Sequence, residues 1–445
     1  MNLVKNVAFV ALPATNYFNI TMEMLNMPPI GLLSLATFIS QHDEYNIKVF
    51  DLQYSNKRPF DEFKQQLFNF KPDILGFTVY PDNWENLRVL LPILRKDFPD
   101  TIFIVGGPLP TFIPSEIMTK LPDIDFVVMG EGELTLNELL KTINSEKSSK
   151  VGKNIAGICY RAADSNKITI NKARPPIENL DSLPIVDRSF IDVTAYKIPF
   201  NMMTSRGCTG KCIFCSAGAM YKKLRKRSVA NIIKEIKQLN DLYNAELFAI
   251  LDDTFVLSQD NILTFCEEIK RLNFKVTWVC ETRADVINPE IAKIMREAGC
   301  IHAQIGLESA DNSILKKIRK GTTVEKIEYA IKCFNDVGIS LFISYILGHA
   351  WDTKESMYRT IKYTDYLIEK YNASVYPSLN TPFPGTYQYD HAEELGIKIH
   401  AKSWGDLIMN KPVISGNYFS LEDLREISFD AFKNMDRLNK QKSVI

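Results

Sequence analysis

The first part of the chain alternates short apolar runs with amphipathic stretches. NVAFVAL (Asn6 to Leu12) reads as a buried strand and IGLLSLATFIS (Ile30 to Ser40) as a buried helix. NIKVFDLQ, ending at Gln53, is a second strand, and Phe60, Phe63, Leu67 and Phe70 then recur at helical spacing. DILGFTVY (Asp73 to Tyr80), TIFIVGGP (Thr101 to Pro108) and DFVVMG (Asp125 to Gly130) are further strands. Helical patterns over Asn83 to Phe98 and Pro114 to Lys120 separate them, and EGELTLNELLKTI starts a last helix. Strands and helices joined this tightly predict an α/β fold with a doubly wound parallel sheet. Ligands of such sheets sit at the carboxyl edge of the strands.

The rhythm breaks over residues 146–199, where GICYR and ITINKARPPIENLDSLPIVDRS are polar and rich in proline. Pro175, Pro176 and Pro184 favour extended chain there. It resumes with a strand at Phe200 to Thr204 and a helix from Ser228 that sets Val229, Ile232, Ile233, Ile236, Leu239 and Leu242 on one face. ELFAILDD, KVTWVCETR, IHAQIGLES, ISLFISYILG and ASVYPSLN are the strands that follow, giving about six strand–helix units. Parallel strands at this spacing close or partly close a barrel, with its chemistry at their carboxyl ends. From about Tyr389 the chain is polar and mostly helical, with LEDLREISFDAFKNM amphipathic. The expected divisions are 1–145, 146–199, 200–388 and 389–445.

Composition narrows the function classes. Lys plus Arg equals Asp plus Glu at 53 each, so there is no global basic footprint for nucleic acid. The one basic run, YKKLRKR (Tyr221 to Arg227), reads as a solvated lead-in to the next helix. The apolar N-terminal stretch is too short for a signal peptide, and no stretch nears the ~18–20 apolar residues of a membrane span. A cytoplasmic protein with reduced thiols is expected. Cys266, Cys280, Cys300 and Cys333 lie in apolar patterns and read as core, with a hydrogen-donor role for Cys280 as the minor alternative.

RGCTGKCIFC is different. Cys208, Cys212 and Cys215 lie on a polar, glycine-bearing loop at spacings that let all three sulfurs grip one corner of an iron–sulfur cubane. Such a cluster takes four ligands, so one iron stays open to something else. Zinc would need a fourth ligand nearby, yet no His lies between Cys215 and His302 and the next Cys is Cys266. A disulfide framework suits small secreted domains. Buried structural thiols seldom cluster on a polar loop.

This motif closely resembles that of the radical S-adenosylmethionine (radical SAM) enzymes. The resemblance implies that a [4Fe-4S] cluster on these cysteines binds the amino and carboxylate groups of SAM at its open iron. One electron then cleaves SAM and releases a 5′-deoxyadenosyl radical, supplied by a donor of the flavodoxin or ferredoxin type. Polar residues at the ends of the later strands become the expected SAM contacts: Asp252 and Asp253, Glu281 and Arg283, and Glu308 with Ser309. Gly-x-Glu-Ser followed by a Lys-Gly turn (Lys320, Gly321) is frequent in one subfamily. The alternative for each of these groups is an ordinary barrel-mouth ion pair, for instance Arg283 with Glu308. In LGHAWDT the chain departs from the Gly-x-Pro-Gly-Glu-Thr of relatives. His349 and Trp351 stand in that loop, where His349 is either a structural histidine or one that faces substrate. TPFPGTYQY (Thr381 to Tyr389) resembles the turn that closes these modules.

PPIGLLSLA, VGGPLPTFIPSE and VVMGEGELTLNEL resemble the cobalamin-binding domain that precedes the radical SAM module in that subfamily. The candidate cobalamin contacts are Thr78, Gly106, Gly107, Leu109, Gly130, Glu131 and Gly132. Asp-x-His-x-x-Gly, whose His binds cobalt in mutases, is absent, and the first His is His42. Leu109 stands where family members often carry a His. The resemblance therefore leaves two radical readings open. One is methylation of an unreactive carbon of a small metabolite with cobalamin as methyl carrier. The other is dehydration, oxidation, epimerisation or ring formation with the first domain kept as scaffold. A non-catalytic binding protein is disfavoured by the intact cysteine trio. A methylthiotransferase would need further cluster cysteines, and none precedes Cys159.

Overall fold

A computed structural model describes residues 4–14, 26–41, 45–53, 59–145, 151–162, 165, 167–255 and 259–441, the last helix from 436 on without its side chains. His42 lies outside the described residues. The chain forms two compact units, residues 1–199 and 200–445.

In the first unit β1 (Asn6–Ala11), α1 (Ile30–Ser40), β2 (Asn46–Asp51), α2 (Pro59–Phe70), β3 (Ile74–Thr78), α3 (Trp84–Asp97), β4 (Ile102–Gly106), α4 (Pro108–Phe112), α5 (Pro114–Lys120), β5 (Phe126–Val128) and α6 (Gly132–Ser145) follow one another. Strand order β2-β1-β3-β4-β5 is parallel throughout. The central strand β1 is buried on both faces, which is why it reads as a continuous apolar run. Leu33, Ala36 and Ile39 of α1 pack with Leu136, Leu139 and Leu140 of α6 over that sheet. The proline-rich stretch adds β6 (Ile158–Arg161) and β7 (Ile168–Ile170), an antiparallel hairpin that extends the same sheet beyond β5.

The second unit holds β8 (Asn201–Met202), β9 (Ser205–Arg206), α7 (Ser216–Met220), β10 (Arg225–Lys226), α8 (Val229–Tyr243), β11 (Leu247–Ile250), α9 (Gln259–Lys270), β12 (Thr277–Thr282), α10 (Pro289–Glu297), β13 (Cys300–Glu308), α11 (Asn312–Lys317), α12 (Val324–Asp336), β14 (Ser340–Leu347), α13 (Lys354–Tyr371) and β15 (Ser374–Leu379). After these come α14 (Tyr387–Asp390), a two-stranded piece of β16 (Lys398–Ile399) and β17 (Ile414–Ser415), and α15 (Leu421–Gln441). Six strands pair in parallel in chain order, β8-β11-β12-β13-β14-β15, and the first and last do not meet. This is a partial (β/α)6 barrel. Side-chain caps start its helices: Ser228 accepts from the Asn231 N–H, Thr323 from Lys326 and Thr353 from Ser356. Asn244 and Asn372, both at left-handed φ, end α8 and α13.

Candidate active site

The cysteine loop is the arch of a hairpin. β9 and β10 pair antiparallel as its stem, Arg206 opposite Arg225 and Ser205 opposite Lys226. Asp252, at the end of β11 and 2% exposed, fastens the entry to that stem. Its carboxylate accepts from the Thr204 N–H at 2.6 Å, the Ser205 N–H at 3.1 Å, the Ser205 hydroxyl at 2.8 Å and the Thr204 hydroxyl. Burial nevertheless pushes its pKa up to about 6, those hydrogen bonds pulling the other way. Asp252 is thus committed to the loop instead of the open mouth where sequence reasoning placed it. Asp253 next door is exposed and accepts from the Gly207 N–H at 3.1 Å.

Two further segments brace the arch. The Ile213 N–H donates to the Ile318 carbonyl at 3.1 Å, and the Ile213 carbonyl accepts from the Gln388 N–H at 3.0 Å. Gln388 is buried and donates through Nε2 to Asn380 Oδ1 at 2.8 Å, and Asn380 donates to the Gly348 carbonyl at 3.0 Å. The Pro-Gly-Thr turn therefore meets the cysteine loop at the carboxyl end of the barrel strands.

The three thiols share one neighbourhood. A Cβ built on Gly210 would lie 3.4 Å from the Cys208 sulfur, 3.8 Å from that of Cys212 and 2.9 Å from Arg283 Nη1, so a side chain there would push into the cation. The Gly210 N–H points at the Cys208 sulfur at 3.3 Å, and the Ala217 and Gly218 amides donate to Cys215. Burial pushes the bare Cys212 thiol up to about 11, while Lys320 and Arg283 pull it down. Only a bound cation would hold such a group as thiolate at neutral pH. No three His, Cys, Asp or Glu side chains among the described residues close on a single ion. Thiols on one loop with amide donors and two cations beside them fit a cluster that carries negative charge.

Around this loop the strand ends converge. Glu308 sits at left-handed φ (+60°) in the irregularity where β13 pairs with β14, and its carboxylate curls over Gly306 to meet Lys320 Nζ at 2.5 Å. Arg283 spans from Asp285 (2.8 Å) to the Lys320 carbonyl (2.9 Å), not to Glu308 as the sequence suggested. Glu281, at the accessible end of β12, is pushed up to about 7 by desolvation and then by Asp253 and Glu308, with Lys320 opposing. Lys320 is the residue that sequence reasoning undervalued. In the sequence it reads as half of the Lys-Gly turn, next to Arg319, with nothing local to mark its partner Glu308.

Other candidates fall elsewhere. Ser309 is buried, its hydroxyl accepting from the Asp311 N–H at 3.2 Å. His349 is 1% exposed, its ring 5.7 Å from that of Phe214 in the cysteine loop. Burial lowers its pKa to about 4, so the ring is neutral at pH 7, and both of its nitrogens are buried without a hydrogen-bond partner. Trp351 in the same loop lies under Lys317 Nζ at 5.6 Å. The Cys280 thiol is buried, hydrogen-bonded to Cys300 and raised well above its usual value by that bond and by burial, as a core thiol. The basic run is solvated only in part: Lys222 and Lys223 are exposed, but Arg225 is buried, and Arg227 donates to Glu235 at 2.6 Å and to the Met203 carbonyl at 3.0 Å.

The first unit presents its own edge at the carboxyl ends of β3, β4 and β5. Gly107 has φ +102°, and a Cβ there would lie 3.0 Å from Thr78 Oγ1 and 3.1 Å from the Val79 nitrogen and oxygen. The Gly130 N–H donates to Thr111 Oγ1 at 2.9 Å, and nothing lies within 4 Å of where its Cβ would be, so a bulky ligand can approach this backbone. Gly106 backs onto the Val128 carbonyl at 3.4 Å. Three candidates also have contacts within the fold. Leu109 is buried in α4, Glu131 accepts from the Ile177 N–H at 2.7 Å and so holds the proline-rich stretch, and Gly132 lets α6 approach Leu35.

The sequence matches the radical SAM superfamily over residues 202–363 and the B12 binding domain over residues 24–140. An uncharacterised methyltransferase of Pyrococcus horikoshii is 30% identical over 91% of this chain and 87% of its own length. The anaerobic magnesium-protoporphyrin IX monomethyl ester cyclase of Rubrivivax gelatinosus is 28% identical over 84% of this chain and 67% of its own. Among solved structures, the radical SAM methyltransferase TsrM of Kitasatospora setae superposes with TM-score 0.73 at 17% identity, covering 97% of this chain and 91% of that one. The cobalamin-dependent radical SAM enzyme OxsB superposes with TM-score 0.67 at 20% identity over 81% of this chain, which spans about half (52%) of the OxsB chain. The cysteine loop at the mouth of a partial barrel and the glycine edge of the first sheet now have their explanation: the chain belongs to the radical SAM superfamily, in the branch that carries a B12 binding domain, and its cofactors are a [4Fe-4S] cluster, S-adenosylmethionine and cobalamin.

Proposed function

We propose that the protein methylates an unreactive carbon of a small metabolite, with Cys208, Cys212 and Cys215 as cluster ligands. The carrying observation is the cysteine loop with its facing strand ends, on one chain with an open glycine edge of the cobalamin type. When bound, the cluster supplies an electron to SAM, and cobalamin supplies a methyl group. The chain's own residues position and shield. Asp253, Glu281 and Glu308 offer carboxylates to the ammonium and sulfonium of SAM, and Arg283 and Lys320 offer cations to its carboxylate. Asp252, Gln388 and Asn380 hold the loop in register, and Gly106, Gly107 and Gly130 leave room for the corrin.

The name of the Pyrococcus relative favours methylation. The cyclase relative favours ring formation as the second reading. The test is anaerobic purification with cobalamin supplied, assay of iron and cobalt, and incubation with SAM labelled in its methyl group. Label in a product carbon with retained corrinoid supports methylation; 5′-deoxyadenosine without label transfer or cobalt supports the second reading. We place the enzyme in the cytoplasm, reduced by a flavodoxin- or ferredoxin-type donor; among the described residues no helix is long and apolar enough to cross a membrane.

A further inference from the structure

The two faces of the barrel sheet differ. Along β12 and β14, and along β13 from Ala303 to Leu307, every second residue is buried. These side chains meet the outer helices: Trp278 packs on Phe265 of α9 with ring centroids 5.5 Å apart, and Tyr345 meets Thr364 of α13. The alternate positions point the other way, into the barrel, and are half-buried or exposed. Layers of side chains fill the interior of a fully closed barrel. Here the inner face of these strands stays open to water.

Strand register assembles a wall on that face. Gln304 on β13 lies beside Phe342 on β14, and one row nearer the mouth Ser344 lies beside Tyr376 on β15. Phe342 and Tyr376 stack, their centroids 6.3 Å and their planes 24° apart, and Phe432 of α15 holds Tyr376 edge-on at 6.1 Å. His302 continues the row of rings 6.4 Å below Phe342, its Nδ1 2.7 Å from Ser340 Oγ. An aromatic stripe on a strand is ordinarily core, but this one has polar neighbours with nothing to bond. Among the described residues the side chains of Gln304, Ser344 and Tyr376 make no hydrogen bond, and their polar atoms are not sealed from water as the nitrogens of His349 are. The wall also lacks cations. β12 to β15 contain no Lys or Arg, Lys320 above Gly306 is held by Glu308, and Glu281, in register with Gln304, is an acid. An anion laid here would lose water and gain no partner. A flat, uncharged ring would bury its face on the aromatics and satisfy the amide and hydroxyls.

We infer that Gln304, Phe342, Ser344 and Tyr376 bind the substrate, and that the part they hold is an uncharged heteroaromatic ring bearing hydrogen-bonding groups. The inference rests on the radical SAM reading and deepens it by naming the substrate class. Gln304 stands two residues below Gly306, about 7 Å along the strand. A ring anchored there turns its substituents toward the mouth, where Glu308 and Lys320 stand. The adenine of SAM shares this chemistry, so the test has to tell the two apart.

The experiment uses the full chain with cluster and cobalamin reconstituted, and quinolin-2-one as the probe. Benzoate and cyclohexanecarboxamide are the anionic and the non-aromatic controls. Binding is read by equilibrium dialysis, without SAM and with SAM at saturation. Quinolin-2-one is expected to bind saturably in both conditions, and the controls in neither. Gln304→Leu and Tyr376→Phe remove hydrogen-bonding atoms at nearly constant volume. Each should weaken the probe about three- to tenfold, the size of one neutral hydrogen bond, with iron content and SAM affinity unchanged. Should Gln304→Leu lose iron, Tyr376→Phe, smaller by one oxygen, decides alone. Displacement of the probe by SAM would give the wall to adenine and overturn the inference. Equal binding of benzoate, no saturable binding by wild type, or binding unmoved by the variants would overturn it as well. All of these leave the radical SAM reading in place; that reading fails instead if the reconstituted wild type does not cleave SAM.

Discussion

Replacing Asp252 in two ways separates a clamp from a cofactor contact. Its carboxylate is 2% exposed and receives two backbone amides and two hydroxyls, from Thr204 and Ser205. In Asp252→Asn the remaining oxygen keeps both amides. The new NH₂ faces two hydroxyls that can rotate and accept, so the geometry survives. The negative charge itself adds nothing to stability at neutral pH. Its folded pKa, raised from 3.8 to about 6, makes ionisation oppose folding: the contribution is fully present below pH 4 and lost as pH rises through 6. A shift of that size corresponds to about 3 kcal/mol. The asparagine variant should therefore keep its iron and be at least as stable as wild type at pH 7.5, with the difference vanishing near pH 4. Asp252→Ala instead leaves two buried amides without acceptors, at about 1–3 kcal/mol each. The loop should loosen and lose most of its iron. The assays are iron per chain after anaerobic reconstitution and the thermal midpoint between pH 4 and 8. Full iron in the alanine variant would refute the clamp. An asparagine variant that keeps its cluster yet cannot bind SAM would return Asp252 to the SAM contacts.

Cys212→Ala should abolish both the brown chromophore and formation of 5′-deoxyadenosine, measured by absorbance and chromatography. Lys320→Met should destabilise by about 3–5 kcal/mol because Glu308 is left buried and unpaired; adding Glu308→Gln should restore the melting temperature but not SAM affinity, read by calorimetry. SAM affinity should rise with pH through about 7 as Glu281 ionises and offers its charge to the ligand's cations, and Glu281→Gln should flatten that profile. Gly107→Val, with its Cβ forced against Thr78 and Val79 at a φ that L-residues rarely adopt, should reduce the cobalt retained on purification while leaving iron content unchanged.

The two parallel strand–helix units were legible because a strand buried on both faces must be apolar along its length, as β1, β3 and β4 are, while β13 and β14 alternate buried and half-buried positions. What escaped was every feature decided by tertiary company. PLPTF carries two prolines and reads as loop, yet Pro108 opens α4, where its missing N–H loses nothing. The strand expected over Phe200 to Thr204 is cut to β8, Asn201–Met202, because Asp252, far along the chain, takes the Thr204 and Ser205 amides at the point where the chain leaves the sheet for β9. YKKLRKR reads as solvated because lysines and arginines usually are. Arg227 turns inward because Glu235 on α8 and the Met203 carbonyl accept from it. The cysteine trio was legible as chemistry for the opposite reason: its meaning lies in local spacing, which needs no partner elsewhere in the fold. The carboxylates at the strand ends stand between these cases. Topology brings Asp253, Glu281 and Glu308 to one mouth as the sequence implied, but which of them stays unpaired depends on Lys320, whose register the turn at Gly321 decides. Sequence thus locates a barrel-mouth site to the nearest strand end, and long-range ion pairs choose which side chain is offered to the ligand.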